Sequence, residues 1–210
     1  IDSILMQTFK DFHFFIADDC STDNTLNILY KKQSEDSRIS IFKNQTNIGL
    51  TKTLNKLIDS VESEFIARQD ADDLSLPNRL EVQLDYIKRK KLELCTARAL
   101  IKDTNQKIPN LSFFFPNKYL INYKNPFIHG TLVIKKNFLE SMGKYNEKFY
   151  FAQDYKLFYD ILKKNIKINT IKKPLYILNT TNNISENFKK EQKYFADCVR
   201  KRIEPLNFQS

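Results

Sequence analysis

Glycine is scarce in this 210-residue chain: only Gly49, Gly130 and Gly143. A glycine-rich phosphate loop, of the kind nucleotidyltransferases use, therefore cannot be built from it. Tryptophan is absent, so Phe (17) and Tyr (10) carry the bulky packing. The three cysteines, Cys20, Cys95 and Cys198, are widely spaced and form no CxxC pair. That argues against a disulfide framework and a thiolate zinc site, and fits a reducing cytoplasm. No apolar run approaches the roughly 20 residues of a membrane span. Neither an internal repeat nor a low-complexity linker is visible.

What is present suffices for a folded domain. Hydrophobic residues make up 41% and aromatics 13%, more than a disordered chain carries. The formal net charge is +9, from 34 Lys and Arg against 25 Asp and Glu. This balance favours anionic partners: nucleic acid, phosphorylated ligands or an acidic membrane surface. Much of the excess lies late, in Lys163-Lys164, Lys172-Lys173, Lys189-Lys190 and Arg200-Lys201-Arg202. It reads either as solvated helix faces or as a dedicated patch.

Residues 1–6 read as the middle of a helix. Phe12 to Ala17 is aromatic and β-branched and ends at Asp18-Asp19, a strand pattern. Ser21-Thr22-Asp23 supplies N-cap chemistry for a helix over about 24–34. A short strand is expected at 39–42, a polar loop at 44–49 and a helix at 50–61 with Leu54, Leu57, Ile58 and Val61 on one face. A third strand, 64–68, delivers the most informative segment of the chain, Asp70-Ala71-Asp72-Asp73. Carboxylates this close repel one another unless a cation or hydrogen-bond donors offset the charge. Oxygen-only ligands at a strand tip suit Mg²⁺ or Mn²⁺, most often with a phosphate completing the shell. An EF-hand is excluded, because Leu74 and Ser75 stand where that loop needs a ligand and a glycine.

Further on, the pattern predicts a helix over 79–90 and strands at 93–101 and 129–134. A short helix is expected at 136–142 and an amphipathic one at 154–164. Two separate strands follow at 166–171 and 175–178, then a basic helix over 189–202. Residues 103–126 resist assignment, and Phe113-Phe114-Phe115 reads as core or as an acceptor-side flap. Strands alternating with helices imply an α/β architecture with a mixed, mostly parallel sheet flanked by helices. Ligands of such sheets bind at the carboxyl ends of the strands. Two such ends here carry aspartates, which points to one shared, cation-dependent site.

Several of these segments occur together in one known family. Ser3-Ile4-Leu5-Met6-Gln7-Thr8, Ala17-Asp18-Asp19-Cys20-Ser21-Thr22-Asp23 and Asn47-Ile48-Gly49-Leu50 resemble motifs of the family 2 glycosyltransferases. Leu54-Asn55, Ile66 to Asp73 and Pro77-x-Arg79-Leu80-Glu81-x-Gln83 extend the likeness. It is strong from residue 3 to about 90, patchier to about 162, and absent beyond.

The resemblance implies a GT-A fold over residues 1–178, followed by a basic helical tail over 179–210. It implies that Asp18 and Asp19 contact the base and ribose of a nucleotide-sugar and that Arg68 lies beside the donor; the carboxylate-lined strand ends themselves argue against a nucleic-acid partner. Asp70 and Asp72 match the DxD pair that holds Mn²⁺ or Mg²⁺ against the donor diphosphate. Phe151-Ala152-Gln153-Asp154 resembles the later acidic motif, with Asp154 as catalytic base, and His129 and Gln153 face the acceptor. Gln153 replaces the usual Glu, and Lys156 stands where an acidic residue is common. The family's first strand, ending in a P-x-(Y/F)-N-like turn, has no counterpart in these residues, which predicts an exposed sheet edge.

The implied activity is inverting transfer from a nucleotide-sugar, UDP foremost, to a hydroxyl of a bacterial surface glycan or lipid-linked saccharide. The expected location is the cytoplasm, with peripheral contact at the inner membrane face through the basic tail. A non-catalytic nucleotide-sugar-binding or assembly subunit is the alternative.

Overall fold

The computed structural model describes residues 1–181 and 188–206. Eight helices are described: α1 (Asp2–Leu5), α2 (Thr25–Glu35), α3 (Leu50–Asp59), α4 (Arg79–Lys90), α5 (Asn117–Leu120), α6 (Lys136–Ser141), α7 (Gln153–Lys163) and α8 (Lys189–Lys201). The strands are β1 (Phe14–Asp18), β2 (Ile39–Lys43), β3 (Phe65–Ala67), β4 (Leu74–Ser75), β5 (Leu94–Ile101), β6 (Lys107–Ile108), β7 (Val133–Lys135) and β8 (Asn169–Leu178).

They form two sheets. β1 and β2 make a parallel pair, with Phe14 opposite Ile39 and Asp18 opposite Lys43. The other six strands make a sheet in the order β3-β7-β5-β8-β4, with β6 paired to β5. Among the described residues no ladder joins β1 to β3, so each presents the free edge that the sequence predicts.

The α/β architecture with a mixed sheet is as expected, but the sheet is not mostly parallel. Of the six strand pairs only β1-β2 and β5-β8 run parallel. The alternation that suggested parallel pairing holds in the first half of the chain. In the second half, β6 returns from β5 as a hairpin, and β7 enters antiparallel between β3 and β5.

Helices cover both faces of the larger sheet. Strand side chains alternate between faces, so Leu94 of β5 joins one core while Cys95 and Ala97 join the other. The larger core gathers Leu54 and Ile58 of α3, Leu139 of α6, Phe158 and Ile161 of α7 and Phe195, Cys198 and Val199 of α8. The smaller core sets Ile87 of α4 against Cys95, Val133, Ile171 and Leu175. Each fully buried Leu or Ile side chain contributes roughly 1.5–3 kcal/mol. The expected division at 178/179 falls at the end of β8, and the helix beyond it shares the larger core. Residues 182–187 and 207–210 of the expected tail lie outside the described residues.

Two local expectations are corrected. His129 to Thr131 is a 3-10 turn, with only Val133–Lys135 extended. The Thr131 hydroxyl donates to the Ile128 carbonyl at 2.7 Å, closing the backbone into a turn. The two late strands are one, β8, because Pro174 sits where the register against β5 shifts. Proline is tolerated at such a bulge because the ladder there needs no N–H from it.

Candidate active site

The acidic turn is held from beneath by Arg79, a fully buried arginine in the first turn of α4. Its Nη2 donates to the Arg68 carbonyl at 2.6 Å, and its Nη1 to Ser75 Oγ at 2.8 Å and Gln69 Oε1 at 3.1 Å. Nε donates to Gln83 Oε1 at 2.9 Å, and the Gln83 amide passes the chain on to the Thr131 carbonyl at 2.8 Å. Burial pulls the guanidinium down to about 10, still charged at neutral pH. The Gln69 amide donates to the carbonyls of Asp70 and Asp73, and the Asp70 N–H donates to the Tyr176 hydroxyl at 3.1 Å. A buried charge is costly unless every proton has an acceptor, and here the acceptors are the backbone and amides of the acidic turn.

The N-terminal Gln7-Thr8 pair belongs to this scaffold. Gln7, fully buried, accepts from the Leu80 N–H at 3.0 Å and donates to the Leu76 carbonyl at 2.8 Å. Thr8 donates to Glu81 at 2.6 Å. These contacts satisfy groups at the start of α4 that the helix leaves open.

The three acidic side chains differ. Asp70 is paired with Arg68 at 2.5 Å. Burial opposes its ionisation, but the charges of Arg68, His129 and Arg79 outweigh burial and hold its carboxyl below the usual range. Asp73 is buried, accepts from the Asn179 N–H at 2.7 Å, and is pushed up to about 6 by burial and by Asp70 and Asp72. Asp72 is exposed and has no hydrogen-bond or ionic partner among the described residues. Among the described residues no group of three His, Cys, Asp or Glu converges as a finished metal cage. In chemistry, the side chains of Asp70 and Asp72 are the oxygen donors that a hard divalent ion takes.

His129 faces this turn. Its Nε2 lies 2.7 Å from the Tyr145 hydroxyl. Burial and the Arg68 charge lower its pKa, against the opposing pull of Asp154 and Asp70. Tyr145 is raised by burial and feels the same three charges. Asp70, Arg68, His129 and Asp154 therefore share one electrostatic neighbourhood. Asp154 stands in the first turn of α7 and accepts from Asn125 Nδ2 at 2.8 Å. Gln153 beside it is buried at the helix start. The preceding Ala152 is left-handed, φ 54°, a strained conformation for a residue with a Cβ and one that tends to occur at functional sites.

Asp18 and Asp19 end β1. Asp18 is buried and receives the Ser21 N–H at 3.3 Å. Asp19 accepts from the N–H groups of Ile48 and Gly49 at 3.0 and 2.8 Å and from Asn44 Nδ2 at 2.9 Å, so it shapes the 44–49 loop. Gly49 is required in this loop: its φ is +84°, and a Cβ there would lie 2.4 Å from the Tyr150 ring.

Sequence reading alone missed several participants. Gly130 is one: a Cβ there would lie 2.2 Å from the Tyr176 hydroxyl and 2.7 Å from Asp70 Oδ2. Its position directly after His129, in a chain with three glycines, was the available signal. Asn55 was legible only as part of the resemblance. It is buried and exchanges hydrogen bonds with the Tyr145 backbone at 2.9 and 3.1 Å, fixing the tyrosine that holds His129. Asn125 and Tyr176 carry no local pattern at all.

Comparison with known proteins shows the family and the fold. Residues 1–158 match the profile described as Glycosyl transferase family 2. An uncharacterized glycosyltransferase of Methanocaldococcus jannaschii is 30% identical over 205 residues, covering 92% of this chain and 70% of that protein. The Escherichia coli enzyme WfgD, a UDP-Glc:alpha-D-GlcNAc-diphosphoundecaprenol beta-1,3-glucosyltransferase, is 29% identical over 168 residues, covering 79% and 64%. Among solved structures, S. aureus TarS 1-349 in complex with UDP-GlcNAc superposes with a TM-score of 0.73 at 20% identity, covering 98% of this chain and 62% of that one. The mannosyltransferase PcManGT of Pyrobaculum calidifontis, in complex with GDP-Man and Mn²⁺, gives 0.74 at 16% identity, covering 97% and 60%. The chain thus spans less than two thirds of WfgD and of both structures. The structural likenesses establish the GT-A fold, and with the sequence match they show that this chain belongs to glycosyl transferase family 2.

Proposed function

We propose that this domain transfers a sugar from a nucleotide-sugar, a UDP-sugar foremost, to a hydroxyl of a surface glycan or lipid-linked saccharide, with inversion at the anomeric carbon. The observation that supports the reading is the His129–Tyr145 pair, 2.7 Å apart and buried, on which the charges of both Asp70 and Asp154 act. In this reading one reacting centre lies between a donor-side acid cluster and a base.

In this reading Asp18 and Asp19 bind the nucleoside, and Arg68, released from Asp70 in part, faces the diphosphate. Asp154, oriented by Asn125, takes the proton of the acceptor hydroxyl as its oxygen attacks the anomeric carbon. The bond from that carbon to the diphosphate oxygen breaks, and the electron pair leaves with the nucleotide. His129 and Gln153 line the acceptor side. When bound, Mn²⁺ or Mg²⁺ at Asp70 and Asp72 would supply Lewis-acid stabilisation of the departing diphosphate. The UDP-GlcNAc complex of TarS, the UDP-Glc donor and diphosphoundecaprenol acceptor of WfgD, and the Mn²⁺ of PcManGT support these choices. No helix among the described residues is long and apolar enough to cross a membrane. We assign a cytoplasmic domain that works at the inner membrane face.

The alternative reading is a nucleotide-sugar-binding or assembly subunit without catalysis. Transfer assays with UDP-sugars separate the two. The enzyme reading expects Asp154→Asn to lower transfer by about 10²–10⁴-fold while UDP binding is kept. Equal transfer by both proteins removes Asp154 as base. UDP binding without transfer by the unsubstituted chain favours the second reading.

A further inference from the structure

Exposed apolar side chains are not spread evenly over this molecule. Of the 13 large hydrophobic residues that are exposed among the described residues, five lie between Leu111 and Tyr123. Leu111, Phe114, Phe115, Tyr119 and Tyr123 are each 60–76% exposed. Of the Phe113–Phe115 run, expected as core or as an acceptor-side flap, Phe114 and Phe115 are exposed and Phe113 is half-buried under the Arg98 guanidinium at 4.9 Å, so none of the three joins the core.

This exposure is not that of a loose loop. Ile121 is fully buried, and its carbonyl accepts from the Tyr155 hydroxyl at 2.7 Å. The Tyr123 carbonyl accepts from Arg200 at 3.1 Å, and Asn122 from Lys163 at 2.9 Å. The segment is tied to α7 and α8 from below while its large side chains point to water. A concentrated apolar patch on an anchored surface marks an interaction site.

Charge identifies the partner. Residues 102–126 carry four lysines against one aspartate. Arg200, near the end of α8, pairs with Asp197 and brings a further cation to the Tyr123 carbonyl. Exposed aromatic side chains interspersed with lysines, with Lys118 4.9 Å over the Tyr119 ring, suit the boundary of an anionic bilayer, where rings enter the headgroup layer and cations meet lipid phosphates.

We infer that the 111–123 segment docks this domain onto an anionic membrane surface. The segment leads directly into Asn125, the partner of Asp154. Docking there holds the catalytic side chain against the plane in which a lipid-linked acceptor lies. The inference rests on the acceptor reading above for that purpose, and on the patch itself for membrane contact.

Flotation of the chain with phosphatidylglycerol–phosphatidylcholine vesicles tests it, with pure phosphatidylcholine vesicles as control. UDP binding is measured in parallel without lipid. The expected result is salt-sensitive flotation with the anionic vesicles only. Phe114→Ser/Phe115→Ser should weaken it by about tenfold or more, and Lys118→Glu/Lys124→Glu should do the same. Both variants should bind UDP like the unsubstituted chain. Lys189→Glu/Lys190→Glu, at the far end of α8, should float nearly as well as the unsubstituted chain. Three results overturn the inference: no flotation by a chain that binds UDP, flotation lost only in the α8 variant, or a dimer in light scattering that Phe114→Ser/Phe115→Ser dissolves without any lipid binding. Flotation through the patch by a chain that binds no UDP would sustain the membrane contact and sink the donor reading instead.

Discussion

The acidic turn at residues 68–73 and the aromatic segment at residues 110–125 are both irregular, and they are fixed in opposite ways. The turn rests on a buried polar network, in which Arg79 alone touches Arg68, Gln69, Ser75 and Gln83. The segment rests on a few points, chiefly Ile121, the Tyr155 hydroxyl and Arg200, and gives its bulk to solvent. A network of hydrogen bonds sets positions closely but is costly to break. A sparsely pinned apolar segment tolerates substitution and can meet a variable surface. The donor half of the proposed site is therefore specified by stability, and the acceptor half by what it contacts.

Substitutions should separate the two. Arg79→Met should have the largest effect, about 3–5 kcal/mol in urea unfolding, because several buried acceptors lose their donor together. An effect below about 1 kcal/mol would break the comparison on the donor side.

Asp73→Asn should act the other way and depend on pH. The unfolded chain releases this proton near 3.8 and the folded chain near 6. The folded state holds more protons between those values, so it loses stability as pH rises through that window. Removing the charge while keeping an acceptor for the Asn179 N–H should stabilise the protein by roughly 2–3 kcal/mol at pH 8. Below about pH 3.8 the two proteins should coincide. A constant difference across pH would contradict the assigned burial of charge.

Gly130→Ala forces a methyl against Tyr176 and Asp70. It should cost about 1–3 kcal/mol and weaken UDP binding, which calorimetry would show. Asn125→Ala should be the mildest for folding, within about 1 kcal/mol. Its effect belongs in the transfer rate, with the KM for the donor unchanged. A large loss of stability there would mean that the acceptor side is as tightly specified as the donor side.

Much of the fold was legible in the sequence where apolar periodicity was strong. α4 begins and ends where its pattern predicts, at Arg79 and Lys90, and β5 differs from the reading by one residue. β8 was divided in error because Pro174 reads locally as a strand breaker, while its tolerance depends on a bulge against a partner distant in sequence. The aspartates and His129 were legible as residue types at motif spacing. Arg79 and Gln83 were visible only as part of a resemblance, since their partners lie on other elements. Gly130 and Asn125 stayed hidden for the same reason: a hydrogen bond or close approach between distant residues leaves no period in the chain. Residues 103–126 carried no period either, because their placement depends on a few tertiary pins.

The central claim is that Asp70 and Asp72 close a donor site over a nucleoside diphosphate. Calorimetry of UDP binding, with and without Mn²⁺, on this chain and on Asp72→Ala tests it most directly. The account predicts binding that needs the metal and is lost in the variant. UDP binding of equal strength in both proteins, or without any metal dependence, would contradict it.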